Sequence, residues 1–266
     1  MLSPRICSFK GEFAMKLTWN GTGSAWSPYY GNSSAVLESG GKRLLVDCGH
    51  SVPARLQEMG LSLRDMDAVF ISHLHGDHIY GLEEWGFRNF LQWKTRPHLL
   101  IAQDLVEPLW QQVLAGTMAQ VCSQSCRLTD YFQVLPMQIG KPVSLDPWTL
   151  TLHPVRHVPN ACSYGVKVAA ENVTLGFTCD TLADADPWFY QDTDQVFHDC
   201  SFTPYFPDTV HAHFEQLCRY PQEFRVKTFL VHYEDDIRAR RADPRWQAQV
   251  SATGMRLTMP FQPMPY

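Results

Sequence analysis

The segment Ser72-His73-Leu74-His75-Gly76-Asp77-His78 constrains this chain more than any other stretch. It follows directly on Asp67–Ser72 (DAVFIS), an apolar run bounded by polar residues that predicts a buried strand. Three histidines and an aspartate packed this tightly match neither a helix face nor a strand face. His73 and His75 are two apart, so an extended backbone aims both imidazoles to one side. Gly76 permits a tight bend, which lets Asp77 and His78 point at a neighbouring position in space. The pattern suits two adjacent metal ions. Imidazole and carboxylate donors without a cysteine suit zinc, manganese or iron. Two such ions roughly 3.5–4 Å apart can share a hydroxide and clamp the attacking and leaving oxygens of a displacement.

The rest of the chain predicts an α/β protein with two sheets. Strands are expected at Lys16–Trp19, Ser34–Ser39, Lys42–Asp47, His98–Ala102, Thr149–Pro154, Ser163–Val168, Val173–Thr178, Gln195–Asp199, Lys227–His232 and Met255–Met259. Gly40-Gly41 marks a hairpin. Helices are expected at His50–Met59, from the histidine motif through Lys94, and at Asp104–Leu114. Polar Gly116–Thr129 reads as a mobile lid, and Met1–Ala14 as a flexible leader before a hydrolase domain spanning 15–266. The formal net charge of −5 argues against a grip on long nucleic acid, which needs a basic surface. No apolar run reaches 18 residues, so no membrane span is expected. Eight scattered cysteines read as reduced thiols of a cytoplasmic protein, with a local bridge or metal pair at Cys122 and Cys126 as the alternative for those two.

His73-x-His75-x-Asp77-His78 resembles the signature of the metallo-β-lactamase superfamily, and other elements follow in order. Gly21-Thr22-Gly23-Ser24 is similar to the turn of the ribonuclease Z-like branch. Val46-Asp47-Cys48-Gly49 is similar to its DCG motif, and Gly176-Phe177-Thr178-Cys179-Asp180-Thr181 to its SGDT motif. Val155-Arg156-His157 and Phe229-Leu230-Val231-His232 resemble the segments that carry the remaining histidine ligands. The resemblance runs from about Lys16 past His232. It implies a four-layer αβ/βα sandwich. It also implies that His73, His75 and His157 hold one metal, that Asp77, His78 and His232 hold the other, and that Asp180 bridges them. His157 is preferred to His153 for its flanking residues. Asp77 would also orient or deprotonate the water. Zinc is the default for both ions, with manganese open.

Further resemblances bear on the reaction. Phe197-His198-Asp199-Cys200-Ser201-Phe202 is similar to the HEATF segment of the same branch, and His211-Ala212-His213 to the start of its HSTxxQA segment. By that resemblance Asp199 and His211 would protonate the leaving oxygen, a step an alkoxide needs. His213 stands where the pattern has threonine and would share or assume the role. The long exosite arm of the transfer-RNA-maturing enzymes has no room here, because His157 and Asp180 are only 23 positions apart. The chain thus resembles the armless cyclic-nucleotide phosphodiesterases, including those of the phage anti-Pycsar type. That resemblance implies a small phosphodiester substrate, cyclic nucleotides foremost, and a homodimer. An RNA endonuclease and a lactone or carboxylic-ester hydrolase are the alternatives. The aromatic segment Trp85–Trp93 offers a surface for base stacking or dimerisation, or simply core packing. Tyr29, Tyr30, Tyr205 and Phe206 offer a weaker surface of the same kind. Arg238, Arg240, Arg241 and Arg245 form either a solvated face paired with nearby acids or a phosphate contact.

Overall fold

Apolar, β-branched runs punctuated by turn residues pair into two mixed sheets in the computed structural model, which describes residues 15–184 and 186–264. The strands in the first half are β1 (Lys16–Gly21), β2 (Ser34–Ser39), β3 (Lys42–Val46), β4 (Ala68–Ile71) and β5 (His98–Ala102). They are followed by β6 (Gln120–Val121), β7 (Gln124–Ser125) and β8 (Gln133–Met137). The second half supplies β9 (Val143–Leu145), β10 (Trp148–Val155), β11 (Ser163–Ala170) and β12 (Val173–Cys179). It ends with β13 (Gln195–Asp199), β14 (Thr228–Val231) and β15 (Arg256–Leu257). One sheet runs β1-β2-β3-β4-β5-β8 and the other β15-β14-β13-β12-β11-β10-β9. Strands β3, β4, β5 and β8 are parallel, as are β12 to β15. Gly40 and Gly41 both take positive φ in the β2–β3 hairpin, as its tight turn requires.

The sheets close on one apolar core. Trp19 of β1 packs on Phe177 and Phe197 of the opposite sheet, with ring centroids 6.0 and 5.3 Å away. Strand β14 shows the layering. Phe229 and Val231 join that inter-sheet core, while Leu230 joins a second cluster with Leu217, Ile237 and Val250 from the flanking helices. A strand buried on both faces reads as continuous apolar sequence, which TFLV does. Most metal-ligand candidates sit where the parallel strands β4, β12 and β14 end, the usual place for ligands in such sheets, while His157 follows the antiparallel β10.

Several expectations change. Strands β8 and β9 were not anticipated. β8 contains Pro136, which a strand tolerates only at a sheet edge, and β8 is that edge. Residues 116–129 are not a lid: Met118, Val121, Cys126 and Leu128 are buried in the core, and a small β6–β7 hairpin links them. Trp85 is fully buried, and Phe87, Phe90 and Trp93 pack against the same core. Core packing, not base stacking, is what Trp85 does. Cys122 and Cys126 are both free, the first exposed and the second buried. The leader 1–14 lies outside the described residues. Among the described residues no helix is long and apolar enough to cross a membrane.

Candidate metal centre and acid pair

Three strand ends turn into the site through residues with left-handed backbone. Asp47 follows β3 at φ 57°, Cys179 ends β12 at φ 52°, and His232 follows β14 at φ 63°. Such conformations are uncommon without glycine and cluster at functional sites, each costing about 1–3 kcal/mol. Between them, the loop after β4 delivers His73 and His75, and the short helix Gly76–Ile79 presents Asp77 and His78. Gly49 lets this helix approach: a Cβ there would lie 1.8 Å from the Asp77 carbonyl oxygen.

The structure brings all seven expected ligands together around Asp180. His73, His75, His157 and Asp180 form one group, and Asp77, His78, His232 and Asp180 a second; within each, ligand atoms lie within 4.8 Å of one another. Asp180 Oδ2 is 3.8 Å from His73 Nε2, 3.7 Å from His157 Nε2 and 3.3 Å from His232 Nε2. Its Oδ1 is 3.3 Å from His78 Nε2. His153, the rejected alternative, stacks on Phe189 instead.

The imidazoles are held by their far nitrogens. His78 Nδ1 donates to Asp47 Oδ2 at 2.8 Å. The Ser72 hydroxyl also donates to Asp47 at 2.8 Å, so it accepts from His73 Nδ1 at 3.0 Å. His157 Nδ1 donates to the Val210 carbonyl at 2.8 Å. Each bond holds the ring so that its Nε2 faces Asp180. His73 Nε2 and His78 Nε2 are buried and have no hydrogen-bond partner. Buried polar atoms are normally satisfied. Two orphaned nitrogens converging on a carboxylate, in an all-nitrogen-and-oxygen donor set, fit a pair of divalent ions.

The carboxylates and imidazoles set one another's charge. Burial opposes ionisation of Asp180, but His232, His78 and His73 outweigh it and hold the carboxyl well below its usual range. Asp77 is likewise lowered, against burial, by His78 and His232. Burial also opposes protonation of His78 and His232, yet the surrounding carboxylates raise both well above the ordinary histidine value. Burial and neighbouring imidazoles lower His73 and His75, and burial lowers His157.

Beside this cluster His211 Nδ1 donates to Asp199 Oδ2 at 2.8 Å. Its ring lies 4.8 Å from that of His232 and 5.0 Å from that of His157. Burial would lower the His211 pKa, but Asp199 reverses the sign and raises it. Asp199 is fully buried, and the same oxygen accepts from Thr181 N at 2.9 Å, tying the acid pair to the Asp180 loop. His213 is placed differently. It is buried, its Nδ1 donates to the Thr203 carbonyl at 3.0 Å, and its Nε2 meets the Thr209 hydroxyl at 3.0 Å. Both ring nitrogens are engaged within the protein.

The arginine cluster is largely self-satisfied. Arg240 pairs with Asp236 and Arg245 with Asp243, while Arg238 lies over the Tyr29 ring. Tyr30 is buried. Sequence reasoning missed the outer partners: Asp47 and Ser72, although their motifs were noted, and the Val210 carbonyl, which no side-chain pattern announces.

Fold and site together define the class: a metallo-β-lactamase-fold hydrolase. The family model described as anti-Pycsar protein Apyc1 matches residues 15–251, and the chain belongs to that family. A relative from Paenibacillus harenae with this name is 35% identical over 227 residues, covering 84% of this chain and 91% of its own. One from Bacillus phage 010DV004 is 37% identical over 235 residues, covering 84% and 90%. Among solved structures, the metallo-β-lactamase fold protein YhfI from Bacillus subtilis superposes with a TM-score of 0.73 at 18% identity, covering 94% of this chain and 98% of its own. The short form of human tRNase Z gives 0.66 at 19% identity with the same coverage. At that identity the likeness establishes the fold.

Proposed function

We propose that this protein hydrolyses small phosphodiesters, cyclic nucleotides foremost, on two divalent ions in a homodimeric cytoplasmic enzyme. The observation that carries this reading is the Asp199–His211 pair set against the ligand cluster. His73, His75 and His157 would hold one ion, Asp77, His78 and His232 the other, and Asp180 both. Zinc is the first candidate and manganese the second; either would supply Lewis acidity toward the phosphate and an activated water. Asp77, kept ionised by its histidine neighbours, would orient that water. His211 holds its Nδ1 proton on Asp199, so Nε2–H remains to protonate the departing sugar oxygen. A carboxylic ester or lactone makes less use of such an acid. The anti-Pycsar family description supports the cyclic-nucleotide reading drawn from the sequence.

The test uses metal-loaded wild type and His211→Ala. Turnover of cyclic mononucleotides should fall about 10²–10⁴-fold in the variant, the usual contribution of a positioned acid. Bis(p-nitrophenyl) phosphate should suffer much less, because p-nitrophenolate leaves without a proton. Metal content should not change. Wild-type protein that opens lactones but leaves both phosphodiesters intact would overturn the reading.

A further inference from the structure

A cavity of about 290 Å3 opens at the end of the sandwich away from the metal centre, close to the ~300 Å3 at which small-molecule pockets begin. One wall comes from the starts of the strands in the first sheet. Lys42 opens β3, Asp67 precedes β4, and Arg96 lies just before β5. The facing wall is the β9–β10 turn of the other sheet, through Asp146 and Trp148. Strand β4 separates the cavity from the metal centre. Asp67 precedes it and His73 follows it, roughly 20 Å away at the ordinary strand rise.

What the lining leaves unspent is a set of donors. Asn89 and Trp148 are each 1% exposed, and Asn89 Nδ2 and Trp148 Nε1 have no hydrogen-bond partner. Thr95 Oγ1 donates to Asn89 Oδ1 at 2.9 Å, so the amide's acceptor is occupied while its donor is not. An indole N–H can only donate. Buried polar atoms normally find partners, yet two residues with orphaned N–H groups line this one cavity. The Arg64 guanidinium at the same cavity has no hydrogen bond or ion pair among the described residues. Arg96 spends one N–H on the Thr129 carbonyl at 3.1 Å. The carboxylates present are already engaged: Asp67 Oδ2 accepts from Arg43 N at 2.8 Å, and Asp146 Oδ2 from Lys42 Nζ at 3.1 Å. Lys42, Arg64 and Arg96 thus outnumber Asp67 and Asp146, on a chain whose formal charge is −5. Spare donors and a local excess of positive charge match an oxyanion.

We propose that this cavity binds a small oxyanion, a phosphate or carboxylate group, through Arg64 and Arg96, and that Asn89 and Trp148 find their missing acceptor in it. Phosphate also suits the metal centre, so the test reads the cavity locally. The metal-loaded full chain is labelled with nitrogen-15, and the Trp148 indole resonance is identified by its loss in Trp148→Phe. Inorganic phosphate and benzoate are titrated separately. The indole resonance should shift saturably. Saturation by phosphate marks a phosphate ligand and by benzoate a carboxylate, and either supports the site. Arg64→Ala should weaken that binding roughly ten- to a hundredfold, the effect of losing one charge-assisted hydrogen bond. Arg245→Ala, whose guanidinium pairs with Asp243 outside the cavity, should leave it unchanged. No shift with either probe overturns the site. A shift that Arg64→Ala leaves at wild-type affinity overturns it too, because the anion then acts from elsewhere.

Discussion

Asp47 accepts three hydrogen bonds at once, from Ser72 N, Ser72 Oγ and His78 Nδ1, each at 2.8 Å. It thus sets the orientation of His78 directly and of His73 through the serine. Outer partners of this kind typically change metal affinity 10–100-fold. Asp47→Asn should weaken metal binding by that factor in a competition with a chelating dye, while circular dichroism stays unchanged. Retained affinity would show that Asp47 only caps its strand. The residue was visible in the sequence as part of Val46-Asp47-Cys48-Gly49, but its three partners are contributed by residues 25 to 31 positions away and no spacing rule announces them. His213 shows the converse. Its pattern position suggested proton donation, yet its neighbours occupy both nitrogens, a fact decided by where Thr203 and Thr209 fold.

At the scale of elements, the Thr203–Val210 loop depends on that same histidine. His213→Ala removes the partner of a carbonyl and of a hydroxyl, and a lost buried hydrogen bond costs about 1–3 kcal/mol. Limited proteolysis should then cut first within 203–210, and turnover should fall far less than in His211→Ala. Equal damage from the two substitutions would return His213 to the acid chemistry. Other elements were legible to different degrees. Two of the strands that lead into ligands announced themselves because both faces are buried and their sequences are continuously apolar, AVFI and TFLV. Strand β8 did not, because its exposed edge tolerates Pro136 and polar Gln133. The polar look of 116–129 misled for a related reason: four buried side chains suffice to anchor a segment whose remaining residues face water.

For the whole molecule, the buried histidines tie stability to pH. His198 is fully buried, its Nδ1 bonded to the Asp199 carbonyl at 2.7 Å, and burial lowers its pKa. A histidine whose folded pKa is depressed contributes stability above its ordinary value near 6.5 and loses it as the pH falls below that value. Thermal melts from pH 7.5 down to 5 should therefore fall more steeply in wild type than in His198→Asn, whose amide can replace the Nδ1 donor. Parallel slopes would assign the acid sensitivity elsewhere.

The sequence alone determined the α/β class and the first four ligand candidates, since local spacing at His73–His78 dictates where side chains can point. Its resemblances extended that set to His157, Asp180 and His232. Tertiary structure decided what local spacing cannot carry. It gathered seven side chains from four strand ends, with Asp180 shared between the two groups, and set the ring orientations through Asp47, Ser72 and Val210. It also gave His211 rather than His213 a carboxylate partner. Those outcomes depend on contacts between residues far apart in the chain, and such contacts exist only once two sheets have closed on a shared core.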